Sequence, residues 1–191
     1  ATSSRAVIRG GGVRAEETVL ITGIGGGVAT FALQIARHVG ARVLATSSSD
    51  HKLAKARTLG AFGVANYRDT NWHTVVRTMA DGKGPDVVVD SGGGETFAKA
   101  IEILRPGGRL VTYGATAGAA KLEVRRIFFK QLDVLGSTMG TPSEFVAMLK
   151  LFSEGGLRPA IDRTFELHES ADAHRRLEDG AQFGKIVLRI H

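Results

Sequence analysis

Two kinds of hydrophobic run alternate along the chain. The first is short and apolar almost throughout: Thr18–Thr22, Arg42–Thr46, Phe62–Ala65, Asp86–Asp90, Arg109–Tyr113 and Leu132–Ser137. Runs of this kind predict strands buried on both faces, because a half-exposed strand would alternate apolar with polar residues. The second kind repeats at three and four: Val28, Phe31, Ala32, Ile35, Ala36 and Val39, with Gln34, Arg37 and His38 opposite. That spacing predicts a helix, and Gly40 stops it. Ser49 can cap a further helix through Leu59 that turns Leu53, Ala56 and Leu59 inward. Helices are also expected over Trp72–Met79 and Glu95–Leu104. Another is opened by the capping box Thr141-Pro142-Ser143-Glu144 and runs toward Glu154. A tail of Ile161–Phe165, a helix over Ser170–Leu177 and a strand over Ile186–Ile190 completes the pattern.

Strands alternating with helices imply βαβ units with right-handed crossovers. The expected fold is α/β, a doubly wound parallel sheet with helices on both faces. At 191 residues the chain reads as one domain, 1–191. The absence of cysteine excludes disulfides, iron–sulfur clusters and thiolate zinc sites, and leaves the cytoplasm as the expected location. No apolar run approaches the roughly 18 to 20 residues of a membrane span, so no membrane partner is expected. The opening ATSSRAVIRGGG has no initiator Met, and its helix-like start running at once into Gly10, Gly11 and Gly12 suggests the middle of a longer protein.

The chemistry concentrates between the first strand and the first long helix, in the run TGIGGGVA. The first-turn N–H groups of a helix have no internal partners and lie at the positive end of its dipole. An anionic phosphate can dock there if no side chain blocks it, and Gly25, Gly26 and Gly27 remove the obstruction, with Val28 beginning the helix. In the G-x-G-x-x-G/A frame that puts Ala29 at the close-packing position, Gly26 takes the middle slot and Ile24 stands at the first glycine.

The stretch TGIGGGVATFALQIARHVGARVLATSSSDHKLAKARTLGAFGVANYRD resembles the cofactor-binding domain of the medium-chain dehydrogenase/reductase superfamily, on the side of its quinone-oxidoreductase-like and zinc-binding alcohol-dehydrogenase-like members. PDVVVDSGG, LRPGGRLVTYGATAG, VLGSTMGTPSEF and GAQFGKIVL follow in the order that family shows. The resemblance implies a Rossmann-type fold and an NAD(P)-dependent oxidoreductase acting on a small-molecule carbonyl, alcohol, quinone or enone. It also implies a preceding GroES-like catalytic domain that this sequence does not contain. The catalytic residues, and any zinc, would belong to that domain, and the chain alone would bind cofactor with little turnover.

An Asp or Glu about 20 residues after the glycine turn would hold the adenosine ribose and repel a 2′-phosphate. The chain has Ser47, Ser48 and Ser49 there, and Asp50 reads as a first-turn helix residue. Hydroxyls and an ammonium suit a dianion, so NADPH is expected over NADH. The resemblance assigns the 2′-phosphate to Lys52 and Tyr67. The switch-point rule places the nicotinamide half at Ser91 and Gly92, Gly114 and Ala115, and Ser137, Thr138 and Met139. Gln182 matches a polar position near the cofactor in some relatives.

His38, His51, His73, His168, His174 and His191 show no metal-ligand spacing, so no metal site is expected. Arg125-Arg126 and Arg175-Arg176 lack interleaved aromatics and argue for no nucleic acid. Trp72, Ile127, Phe128 and Phe129 are expected in the core or at an interface. Two rival readings are an S-adenosylmethionine-dependent methyltransferase, disfavoured by Ser47, and a non-catalytic dinucleotide sensor or homodimerisation module pairing at the edge strand near Val134.

Overall fold

A computed structural model describes residues 1–190. The chain opens with a helical turn, α1 (Thr2–Ser4), continued as a π-helical stretch over Arg5–Gly10. Then strands and helices alternate: β1 (Thr18–Ile21), α2 (Gly27–His38), β2 (Arg42–Ser47), α3 (Asp50–Thr58), β3 (Gly63–Asn66), α4 (Trp72–Met79), β4 (Val87–Asp90), α5 (Gly94–Ile103) and β5 (Arg109–Thr112). After β5 come α6 (Val124–Lys130), β6 (Asp133–Gly136), α7 (Pro142–Gly155), β7 (Ile161–Glu166), α8 (Ser170–Glu178) and β8 (Lys185–Arg189). Six strands form one parallel sheet in the order β3-β2-β1-β4-β5-β6. This is the doubly wound, Rossmann-type arrangement expected from the alternation, and its strand order reverses between β1 and β4.

Strands β1, β2 and β4 are buried almost throughout because helices cover both faces, whereas β6, expected to be buried like them, lies at the sheet edge with only Leu135 partly covered. Val19 and Ile21 of β1, Val43 and Ala45 of β2, and Val87 and Val89 of β4 share one core with Ala32, Leu33 and Ile35 of α2 and with Leu53 and Ala56 of α3. Their neighbours Leu20, Leu44 and Val88 point the other way, into a second core with Trp72 and Val76 of α4 and Ala100 and Ile101 of α5. The period-two alternation of a strand thus feeds two hydrophobic layers at once. Each fully buried Leu, Ile or Val contributes about 1.5 to 3 kcal/mol against the entropy of ordering the chain.

The tail differs from a simple continuation of the sheet. β7 and β8 pair in parallel with each other, Ile161 opposite Lys185 and Phe165 opposite Leu188, in a separate two-stranded sheet. The capping box is present, with Glu144 N–H donating to Thr141 Oγ1 at 3.2 Å and Thr141 N–H donating to Glu144 Oε2 at 2.7 Å. Helix α6 was not anticipated. Its VRRIFFK sequence gives no amphipathic repeat, and only Ile127 packs inward against the second core. Phe128 and Phe129 remain 59% and 77% exposed, so they lie outside the core that Trp72 enters.

Candidate cofactor site

The site begins where β1 hands over to α2. Ile24, at the slot where the family frame has a glycine, is buried and its N–H donates to the Thr46 carbonyl at 2.7 Å. The turn is thereby tied to the end of β2 by an apolar anchor instead of a glycine. Gly26 is the N-cap in extended conformation (φ −73°, ψ 153°), and no side chain caps the helix. Ala29 is buried at 2% exposure, as the close-packing position of the frame requires. The uncapped first-turn amides and the dipole behind them are what an anion needs.

The glycines also make room for two lysines. A Cβ on Gly25 would stand 2.8 Å from Lys52 Cδ, and Gly25 has a φ of +148° that other residues rarely adopt. A Cβ on Gly27 would stand 2.5 Å from Lys185 Cδ, while a Cβ on Gly26 would meet nothing within 4 Å. Two ammonium-bearing chains therefore lie over the flanks of the turn and leave its middle open. The Lys52 ammonium donates to the Gly180 carbonyl, and burial holds it below lysine's ordinary range, with Asp162 pulling the other way. The C-terminal segment itself is fastened to the turn, because Gly184 N–H donates to the Gly25 carbonyl at 2.8 Å. Sequence pattern alone does not single out Lys185. The signal was present in GAQFGKIVL, but only a tertiary contact shows that this lysine, 158 positions beyond Gly27, folds onto the turn.

Around the second strand, Ser47 is buried and its hydroxyl accepts the Ser49 N–H at 3.2 Å. Ser49 caps α3, accepting the Lys52 N–H at 3.4 Å, while Ser48 is partly exposed beside them. Asp50 lies in the first turn of α3, as expected from the dipole. Tyr67 is exposed at 36% and lines a cavity of about 460 Å³ between the β3–α4 loop and the first turns of α5, together with Arg68, Trp72, Glu95 and Lys99. Tyr67 is tied to the end of β2 by its N–H, which donates to the Ser47 carbonyl at 3.0 Å, whereas the Lys52 side chain runs over Gly25 to the Gly180 carbonyl.

The nicotinamide-side candidates all follow the carboxyl ends of strands. Ser91 and Gly92 follow β4, Gly114 and Ala115 lie just beyond β5, and Ser137, Thr138 and Met139 follow β6. Ser91 is hydrogen-bonded to the Tyr113 phenol, whose pKa burial pushes up. The Ser91 carbonyl accepts the Thr116 N–H at 3.1 Å, so the β4 and β5 loops are stitched together. Ser137 Oγ is buried without a hydrogen-bond partner, as is Gln182 Oε1. Met139 holds a left-handed φ of +50° and is 75% exposed. Buried polar atoms without a partner are groups that a polar ligand can complete.

Other signals are quieter. Arg175 pairs with Asp172 at 2.5 Å, Arg176 with Asp162 at 2.5 Å and Arg126 with Glu102 at 3.4 Å. Among the described residues no group of three or more His, Asp or Glu could hold a metal ion. His191 lies outside the described residues. Among those residues, too, no helix is long and apolar enough to cross a membrane.

Comparison with known proteins agrees with this geometry. Residues 27–154 match the family described as zinc-binding dehydrogenase, and the chain belongs to it. Over 99% of its length it is 35% identical to the zinc-type alcohol dehydrogenase-like protein YogA of Leptosphaeria maculans, covering 55% of that protein. The crystal structure of an NAD-dependent alcohol dehydrogenase superposes with a TM-score of 0.90 at 37% identity, over 100% of this chain and 56% of that one. A 2-octenoyl-CoA carboxylase reductase, CinF, solved with NADP and 2-octenoyl-CoA, gives a TM-score of 0.92 at 28% identity, over 98% of this chain and 46% of that one. The chain spans about half the length of these proteins. Its resemblance to the medium-chain dehydrogenase/reductase superfamily, read from motifs, therefore holds across the fold.

Proposed function

We propose that the chain, as one domain, binds NADP(H), preferring it to NAD(H), for an oxidoreductase that moves a hydride between nicotinamide and a small carbonyl, alcohol, quinone or enone. The observation that carries this reading is the open Gly26 N-cap of α2 with the Lys52 and Lys185 chains over its flanks. Uncapped helical amides suit the pyrophosphate, and two cations supply charge-assisted bonds of about 1.5 to 3 kcal/mol each. When bound, the cofactor supplies the hydride chemistry. Ser47, Ser48, Lys52 and Tyr67 would hold the adenosine 2′-phosphate. The loops bearing Ser91, Gly92, Gly114, Ala115, Ser137, Thr138 and Met139 would hold the nicotinamide half, with Ser137 and Gln182 gaining partners. Polarising the substrate oxygen is work for a further catalytic domain, and the cytoplasm is the proposed setting.

One neighbour's name specifies NAD and another holds NADP, so the preference is decided by titration. Tighter binding of NADPH than NADH to the 191-residue chain supports the proposal, and equal affinities overturn the preference. Among the described residues β6 pairs with β5 alone, and its free edge, which exposes Val134, also favours self-pairing of two copies. Sedimentation of the chain at increasing concentration tests that part.

A further inference from the structure

This inference rests on the dinucleotide reading. Asp90 ends β4 with 0% exposure. Uncharged donors hold its carboxylate: the Thr22 hydroxyl donates to Oδ1 at 2.5 Å and the Gly93 N–H donates to Oδ2 at 3.0 Å. A carboxylate buried without a cation is costly, and a fourth Val after Val87-Val88-Val89 would bury more apolar surface. Something other than core packing accounts for an acid here.

Its two donors belong to the two lips of the crevice. Thr22 is the first residue past β1, directly ahead of the glycine turn, and is 1% exposed. Gly93 is the N-cap of α5, in a conformation (φ 67°, ψ −150°) reserved for glycine. A Cβ on Gly93 would stand 2.5 Å from the Gly118 carbonyl oxygen, so the β5 loop closes directly over it. Gly94 N–H donates to Gly118 O at 3.1 Å and Ala117 N–H to Gly92 O at 2.7 Å, which ties that loop to the one after β4. The ladder between β1 and β4 registers Ile21 with Val89 and ends where the Thr22 N–H donates to the Val89 carbonyl at 3.1 Å. Beyond that bond the Asp90 side chain joins Thr22 to Gly93, at the point where the strand order reverses.

We infer that Asp90 is a positioning residue for the dinucleotide. Its carboxylate locks the phosphate-side turn, through Thr22, to the nicotinamide-side loops, through Gly93, so the two halves of one cofactor meet a crevice of fixed width. A lock of this kind matters for a ligand that spans both lips and little for one that occupies a single lip.

The test uses the 191-residue chain with two ligands, NADPH and adenosine 2′,5′-bisphosphate, which reaches only the adenosine side. Thr22→Val removes the hydroxyl without changing shape, and Thr22→Ser restores it. Removing one bond to a buried charge is expected to weaken NADPH about tenfold and the bisphosphate less than about twofold, with Thr22→Ser within about twofold of the parent for both. Hydrogen exchange of the unliganded Thr22→Val chain should quicken together at residues 22–27 and 91–94. Asp90→Ala should weaken NADPH at least as much, and adding Thr22→Val to it should cost nothing further. If Asp90→Ala fails to fold, the Thr22 pair decides alone. Equal losses for both ligands, exchange that quickens on one lip only, or unchanged NADPH affinity in Thr22→Val would overturn the lock. A parent chain that binds neither NADPH nor NADH sinks the dinucleotide reading, and the inference with it. A parent that binds, beside an unaffected Thr22→Val, sinks the inference alone.

Discussion

Gly184 donates its backbone N–H to the Gly25 carbonyl at 2.8 Å, joining residues 159 positions apart at the mouth of the glycine turn. Gly184 has a φ of +97°, and a Cβ there would collide with the Ala160 carbonyl. Gly184→Ala should therefore pull the start of β8 away from the turn and carry Lys185 with it. The expected result is weaker binding of both NADPH and NADH, with the six-stranded sheet intact by circular dichroism. Unchanged affinity for both would show that the C-terminal segment is not part of the site.

The two lysines should separate the phosphates. Lys185 lies over Gly27 at the helix start, where the pyrophosphate common to both cofactors would sit, so Lys185→Met should weaken NADPH and NADH alike. Lys52 lies in α3 beyond the serines, so Lys52→Met should weaken NADPH by about tenfold or more and NADH far less, the loss of one charge-assisted bond. Fluorescence titration with both cofactors reads the difference.

Ser47→Asp places a carboxylate at the end of β2. It should weaken NADPH about tenfold or more while NADH stays within about threefold of the parent, because only the former has a 2′-phosphate to repel. Parallel losses for the two cofactors would remove Ser47 from the adenosine site.

Glu144 predicts an acid-dependent loss of stability. The Thr141 N–H is the main cause holding its carboxyl down to about 2, with Arg9 and Arg5 assisting at 3.0 and 2.9 Å and desolvation opposing them. The folded chain therefore binds fewer protons than the unfolded one at this group. Its contribution is present in full above pH 4.5, the ordinary value, and is lost as pH falls toward about 2. Thermal melts between pH 5 and about 2.5 should decline less steeply for Glu144→Gln than for the parent.

Most of the six-stranded sheet and the opening of the site were legible from the chain because they are local. An all-apolar β-branched run, a Gly-rich turn and a 3.6-residue repeat are adjacent in sequence and need no partner to be read. Ile24 showed its departure from the frame but not its consequence, since its hydrogen bond to Thr46 arises only when β1 and β2 pair. What stayed hidden depends on distant contacts: Lys185 over Gly27, Asp90 between Thr22 and Gly93, and α6, whose single inward residue gives no periodic signal.

The glycine turn can be tested at Gly26 with little interference from folding. Its extended backbone accepts alanine, and a Cβ there meets no protein atom within 4 Å. Gly26→Ala should melt within about 2 °C of the parent, since the small capping penalty and the reduced freedom of the unfolded chain nearly offset each other. The methyl would nevertheless occupy the space reserved for the pyrophosphate. NADPH titration of the two chains side by side should show binding by the parent and a loss of about tenfold or more in Gly26→Ala. Equal NADPH affinity in parent and variant would contradict the account, because the phosphates would then lie elsewhere.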